Sequence, residues 1–576
     1  MNQGYQLALK SSMILLALSV VSCQQNNDGK LDNTNKLEPK KELEITAAGS
    51  TSFYGTLEPF ASEAIYFAMT DRFVDGDPSN NFPEQGGDYP TFQRPLEGPD
   101  GQKAYVGYMG GDFKGVLNNA KYISDMGFTA IWLTPIVDNP DQAFSGGEPI
   151  EFGGAFKDGG KTGYHGYWGV NFFEIDEHLP SEGLSYKELT STLREKYQIK
   201  TVLDIVANHG SPSFTMPEKE QGKFGKVYDK AGNLIAHHEN LEPEQLDPEN
   251  PMHQMFNRKK DIMQLSDFNE NNPAVLDYFV DAYSHWIEQG ASAFRIDTIK
   301  HMPHPFWKKF TDRIRENHSG FFMFAESYSF DANFIAQHTL PENGGISVLD
   351  FPGREAMTKV FENPTSDFSE LLGYLHLQDG PYQNPYDLTT FYDNHDMSRM
   401  NADENGFIDA HNWLFTSRGI PVVYYGSEIG FMAGKSEHQG NRNYFGQERV
   451  DLAKSHPIRM ALSRIANVRK KSIALQRGLQ VNLEFAEQHA AFYRVYEHEG
   501  QTQTALVLLN KGDISHDFVV EQYLSPGTWV DPMSGDQAVV EHQLMRQVPP
   551  HGVAVYLLDQ PNQNAELKAK LSQLMK

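Results

Sequence analysis

Eight apolar runs of strand length recur between residues 64 and 425, at 64–68, 129–133, 201–206, 293–296, 321–324, 346–349, 389–392 and 421–425, and most gaps between them are helix-sized. Short continuous apolar runs fit strands buried on both faces, as in parallel sheets. Parallel neighbours need a crossover of a dozen or more residues, and gaps such as 273–288, with its apolar face, supply one. Eight such units in one chain predict an α/β fold, a (β/α)8 TIM barrel.

One gap breaks the rhythm. Between His209 and Ser266 the chain is polar and rich in Gly, Pro, Glu and His, too long for a structureless connection, so an inserted domain is expected over 209–265. After Arg477 the helical spacers stop, and alternating runs such as 505–509 and 553–557 predict an antiparallel β-sandwich domain over 478–560. The last stretch, 561–576, reads either as a short amphipathic helix or as a frayed tail. The barrel then occupies 61–208 and 266–477. With 39% hydrophobic residues in 576, the chain has material for sizeable cores.

The N-terminal residues carry a processing signal. Met13 to Val21 is too short to span a bilayer, follows Lys10, and leads into Ser22-Cys23, a pattern similar to a bacterial lipoprotein signal over 1–23 with lipidation at Cys23. Cys23 is the only cysteine, so no disulfide is available and an acyl anchor is the expected use of it; plain secretion is the alternative. Gln24 and Gln25 after it point to outer-membrane sorting in a Gram-negative bacterium. Residues 24–60, polar and poor in large apolar side chains, read as a flexible tether. The formal charge of −27 repels nucleic acid and anionic lipid, leaving the lipid anchor as the membrane contact. A neutral polysaccharide suits that surface.

The chemistry sits where apolar runs end. Asp204 to Asn208-His209, Arg295-Ile296-Asp297 with Lys300-His301 behind, Ala325-Glu326, and Asn394-His395-Asp396 each lie at or just past a predicted strand. Charged groups at buried strand ends are costly unless they share partners or work, and these ends converge on one face of a barrel. Residues two apart on a strand share a face, so Arg295 lies beside Asp297 and keeps it ionised, as a nucleophile requires. Glu326, delivered by an apolar strand near two other carboxylates, is expected to hold a proton at neutral pH and to serve as general acid and then base.

These motifs, with Tyr164-His165-Gly166-Tyr167-Trp168, Gly127 to Leu133 and Gly419 to Glu428, resemble the α-amylase superfamily, glycoside hydrolase family 13, from about Ala64 to Ala474. The resemblance implies that Asp297, Glu326 and Asp396 cut α-glucosidic bonds with retention, Asp297 forming a covalent glycosyl-enzyme and Asp396 gripping sugar hydroxyls. It implies that His165, His209 and His395 bind hydroxyls, that Tyr167 stacks on the ring at the cleavage point, and that Arg295, Lys300 and His301 complete the substrate site. It places domain B at the 209–265 insertion. Structural Ca2+ is implied at one or two sites: Asp75, Asp77, Asn80, Asn81, Gly110 and Asp112, matching a loop of cyclodextrin glucanotransferases, and Asn208, Asp267 and the His301 backbone.

Cyclodextrin-forming members place Tyr or Phe four residues before the position of Asp267, where this chain has Met263, and they carry further C-terminal domains. Both departures favour water as acceptor, so the expectation is a monomeric α-amylase-type endohydrolase of starch, glycogen or maltooligosaccharides. Cyclomaltodextrinase, neopullulanase or glucanotransferase activity is the enzymatic alternative. A non-catalytic glycan-binding lipoprotein is the alternative of another class.

Overall fold

The computed structural model describes residues 52–155, 157–217 and 221–574. Cys23, the signal segment and the tether up to residue 51 lie outside the described residues. Eight parallel strands run in chain order as β1 (Ile65–Ala68), β2 (Ala130–Leu133), β3 (Lys200–Ile205), β4 (Ala293–Ile296), β5 (Phe322–Ala325), β6 (Ser347–Val348), β7 (Thr389–Thr390) and β8 (Ile420–Tyr424). They bond in the order β6-β5-β4-β3-β2-β1-β8-β7, and a parallel bridge from Leu349 to Thr389 brings the two ends together. The result is the expected near-closed TIM barrel.

Every residue of β1, β2, β4, β5 and β8 is buried, which explains why these runs are apolar without alternation. The pleat still sorts their side chains. Phe67 turns inward and stacks on Trp132 at 3.8 Å, and Trp132 meets Phe324 edge-on at 5.6 Å, so the barrel axis is filled by rings rather than open. Burying each such ring contributes roughly 1.5–3 kcal/mol. The helix Pro273–Glu288 starts where the Asn272 side chain accepts from the Ala274 N–H and Pro273 needs no donor partner. Its buried face carries Tyr283, whose hydroxyl bonds both backbone groups of Val206 and so fixes the end of β3 just before Asn208 and His209.

The insertion leaves and returns through one antiparallel pair, His209–Pro212 against Leu265–Asp267, with Asp267 opposite His209. Two further connections are also long. The β1–β2 link contains the hairpin Pro95–Glu97 with Lys103–Tyr105, and the β2–β3 link contains Val137–Asp138 paired with Asn171–Ile175. Neither stood out in the sequence, because their turns are spread along Gly- and Pro-containing stretches instead of forming one polar block.

Beyond the barrel, β9 (Leu479–Ala486), β10 (His489–His498), β11 (Gln501–Asn510), β12 (His516–Val520), β13 (Gly527–Val530), β14 (Gln537–Val540), β15 (Leu544–Val548) and β16 (Gly552–Leu558) form the C-terminal domain. Six of them make one antiparallel sheet, β9-β10-β11-β16-β13-β14, while β12 and β15 pair as a ribbon. Phe518, Val520, Leu544 and Val548 of the ribbon share an apolar core with Leu506, Leu508 and Trp529, so the second layer of the sandwich is only two strands wide. Of the two readings of the C-terminal stretch, the helix is the one seen: Ala565–Leu574 buries Leu567, Leu571 and Leu574 in this core. Residues 53–60, read as the end of the tether, are packed: Phe53 is buried and exchanges backbone hydrogen bonds with Glu497. Arg494 seals the domain to the barrel by donating to the carbonyls of Thr416 and Ser417.

Candidate active site

Arg295 and Asp297 come from the end of β4, Glu326 follows β5, Asp204 lies on β3, and His395 and Asp396 follow β7, so all open at the C-terminal mouth of the barrel. One fully buried guanidinium organises them. Nη1 of Arg295 lies 2.8 Å from Oδ1 of Asp204 and 2.8 Å from Oδ1 of Asp297, while Nη2 lies 2.9 Å from Oε2 of Glu326, an ion-pair contact without a directed hydrogen bond. Asp204 is held from its other side by the Trp132 indole at 2.9 Å and the Tyr167 hydroxyl at 2.8 Å.

Burial pushes the Glu326 carboxyl up to about 8, with the Asp297 and Asp396 charges adding to it against Arg295. Glu326 therefore carries a proton at neutral pH, the state a general acid needs. Asp204 is raised by burial to about 7 despite Arg295. Asp396 sits with 30% of its side chain open, gripped by Arg442 Nη2 at 2.6 Å and by His395 Nε2 at 3.2 Å. Arg442 in turn pairs with Glu437 at 2.7 Å, and its Nε donates to the His395 carbonyl. Burial would raise Glu437, but Arg442 and Lys161 outweigh it and hold that carboxyl well below the usual range.

The rings stand beside the carboxylates. Tyr167 and His395 stack at 5.4 Å with planes 10° apart, and His165 packs on Tyr167 at 5.7 Å. Gly166 between them has φ +84, and a Cβ there would sit 2.1 Å from the Pro135 carbonyl, so only glycine turns the chain that sets His165 and Tyr167 side by side. Burial lowers the pKa of His165, His209 and His395, keeping these imidazoles neutral and able both to donate to and to accept from sugar hydroxyls. Nδ1 of His209 and of His395 have no protein partner. Lys300 and His301 stand on the rim in the short helix Ile299–His301, with Lys300 Nζ donating to the Tyr328 carbonyl at 2.8 Å.

The expected calcium loop is folded as a cradle. Oδ1 of Asp75, Asn80 and Asn81 are buried without any donor, and Gly110, at φ +89, could not carry a Cβ because Asn81 Oδ1 would lie 2.5 Å away. Burial raises the Asp112 carboxyl, which caps the following helix through Gly115 N, to about 6. Orphaned buried oxygens on acidic and amide side chains fit a hard cation. Asp77 differs: its carboxylate caps Ser79 and pairs with Lys114 at 3.5 Å. At the second expected place, Asp261 is what joins the partners, meeting His301 Nδ1 at 2.9 Å and accepting from Asn208 Nδ2 at 3.3 Å. Asp267 is bonded by Asn257 at 2.8 Å, and burial raises its carboxyl to about 7. Two more ligand clusters, Asp176-Glu177-His178 and Asp138-Asp141-Glu177, gather donor atoms within 4.8 Å and had no counterpart in the sequence reading.

Arg442, Glu437 and Asp261 were absent from the expected set, and Asp204, named there only as the start of a motif, had been given no role. Asp204 had a signal, a lone charge inside the apolar run 201–206. Arg442 had none, since it lies 46 residues beyond Asp396 in a polar loop.

The sequence profile of the alpha amylase catalytic domain matches residues 67–464. The cyclomaltodextrin glucanotransferase of Klebsiella oxytoca is 28% identical over 79% of this chain and 71% of its own length, and that of Bacillus sp. (strain 38-2) is 31% identical over 68% and 52%. Against such relatives the chain spans from about half to under three-quarters of their length. Among solved structures, a cyclomaltodextrin glucanotransferase with a three-domain ABC distribution superposes with a TM-score of 0.67 at 26% identity, covering 87% of this chain and 99% of that one. The α-amylase of Geobacillus thermoleovorans, solved with acarbose, superposes with a TM-score of 0.64 at 26% identity over the same shares. A three-domain glucanotransferase removes domain number as a sign of hydrolysis over transfer.

Proposed function

The chain belongs to the α-amylase family, glycoside hydrolase family 13, and from that premise we propose that it cleaves internal α-1,4-glucosidic bonds of starch, glycogen or maltooligosaccharides with retention of configuration. The observation that carries the reading is the pair Asp297 and Glu326, a candidate nucleophile and a candidate acid whose carboxyl burial raises to about 8, drawn to one buried guanidinium beside stacked rings. Asp297 attacks the anomeric carbon as Glu326 gives its proton to the departing oxygen; the Glu326 carboxylate then takes a proton from water as that water oxygen bonds to the anomeric carbon and the bond to Asp297 breaks, releasing the sugar. Neutral His165, His209 and His395 orient hydroxyls, and Asp396 steadies the oxocarbenium-like charge.

Hydrolysis over transfer is supported by Met263 in place of the aromatic residue of cyclodextrin-forming enzymes. A second reading, glucanotransferase activity, is favoured by the curated relatives and by the exposed Tyr328 beside Lys300. Incubation with amylose, pullulan and cyclodextrins, followed by chromatography, separates them: linear oligosaccharides from amylose support the hydrolase, cyclic products the transferase, and no products from any of the three would sink both. Because Glu326 must hold its proton, kcat/KM is expected to fall as pH rises through about 8; a flat profile from pH 7 to 10 would contradict its role as acid.

Calcium belongs to the same proposal. Asp75, Asn80, Asn81, Asp112 and the Gly110 carbonyl would hold one ion, with Asn208, Asp267 and His301 around a second, bracing loops rather than entering the chemistry. Chelation is expected to lower Tm and added Ca2+ to restore it. Equal melting with chelator and with Ca2+ would remove the metal from the proposal. Acylation at Cys23 is proposed as the anchor to the outer membrane; palmitate incorporation that survives Cys23→Ala would refute it.

A further inference from the structure

The turn that follows Asp297 is strained, and its own side chain does not explain why. Thr298 has φ 47° and ψ 37°, the left-handed region, which a β-branched residue seldom enters. Its hydroxyl gains nothing there, because Oγ1 is buried without a partner. The backbone does gain. Glu326 donates its N–H to the Ile296 carbonyl at 2.8 Å, continuing the pairing of β4 with β5, and its own carbonyl accepts from the Ile299 N–H at 3.1 Å. Between these two bonds the Thr298 N–H donates to Oε2 of the Glu326 side chain, 3.4 Å away. The Thr298 carbonyl accepts from the His301 N–H at 3.0 Å, which closes the turn from behind. A strained backbone persists only where its surroundings hold it, and such residues cluster at functional sites.

We propose that Thr298 is a positioning residue: its left-handed backbone aims two successive N–H groups at Glu326, one at Oε2 and one at the carbonyl, so that a single turn sets the acid against the nucleophile and leaves Oε1 as the oxygen that delivers the proton. This rests on the reading of Glu326 as the acid. Oε2 also faces Arg295 Nη2 at 2.9 Å. An oxygen that meets an N–H and a guanidinium is an acceptor, and a proton on it would be pressed against both donors. Oε1 takes no hydrogen bond from the described residues and is not sealed off from solvent, so it opens to the cleft. The Oε1 proton passes to the glycosidic oxygen as that oxygen leaves the anomeric carbon with the bonding pair, and the water of the second step returns a proton to the same Oε1. Asp297 is pinned by the same run of chain, its N–H donating to the Ile205 carbonyl at 2.9 Å. Retention needs the two carboxyls about 5–5.5 Å apart, and a shared turn holds that gap because neither residue shifts without the other.

Neutron diffraction from crystals of the wild-type chain, exchanged into D2O near pH 6, reads the proton directly. A deuteron on Oε1, with the Thr298 N–D directed at Oε2, is the expected result. A deuteron on Oε2 would overturn the proposal and leave Glu326 as the acid; a Glu326 carboxylate with no deuteron would overturn the acid reading and this one with it. Replacing Thr298 by its α-hydroxy acid, which puts an ester oxygen where the N–H stood, tests the consequence in solution. An N–H aimed at a carboxylate favours the charged form, so its loss should move the alkaline limb of kcat/KM on amylose up by about 0.5–1 pH unit. Thr298→Gly keeps the N–H and suits a positive φ, so its limb should stay within about 0.2 unit of wild type. A limb that moves equally in both variants, or in neither, would show that the Thr298 N–H does not act on Glu326.

Discussion

Replacing Asp297 by asparagine is expected to lower kcat on starch by roughly 10^4-fold or more, because the amide keeps the shape and loses the attacking anion. Glu326→Gln is expected to cost about 10^2- to 10^4-fold on the same substrate, and the two variants should part on α-maltosyl fluoride. Fluoride leaves without a proton, so Glu326→Gln should still form the glycosyl-enzyme quickly and then stall, having no base to activate water. Mass spectrometry would show a maltosyl adduct on that variant and none on Asp297→Asn. Removing the Asp297 charge also takes away one of the influences that raise Glu326, so residual activity in Asp297→Asn should lose its alkaline limb at lower pH than wild type. Activity within tenfold of wild type for Asp297→Asn would defeat the assignment.

The barrel was legible because its strands are buried on both faces, so the apolar runs ending at Ala68, Leu133, Ile296 and Ala325 stand out without alternation. The catalytic carboxylates were legible because each stands just past the end of such a run, as at Asp297 and Glu326. Long β1–β2 and β2–β3 connections were not, since a loop held by Gly turns and hairpins has no periodicity to read. Nor was Arg442, which reaches Asp396 from a loop whose path depends on the packing of the whole mouth. Arg295 lies between these cases. Its pairing with Asp297 follows from strand geometry, but the contacts to Asp204 and Glu326 come from neighbouring strands, and the register that aligns Arg295 with Asp204 and Phe324 emerges only on closure.

That threefold contact makes Arg295→Met the substitution with the largest expected effect on stability. Methionine keeps length and apolar bulk but removes the cation from Asp204, Asp297 and Glu326 at once. Removing one partner of a buried ion pair costs about 3–5 kcal/mol, since an uncompensated charge is left behind. Two of these carboxyls already sit high, Asp204 at about 7 and Glu326 at about 8, even with the guanidinium beside them. Without it they rise further. A folded-state pKa above the unfolded value means the fold takes up protons, so the stability those groups contribute is present at low pH and lost as pH climbs through the folded pKa. The variant should therefore melt well below wild type at pH 8 and much closer to it at pH 5, where protons replace the missing cation. A Tm difference that stays constant between those two pH values would show that packing, not charge, is what Arg295 supplies.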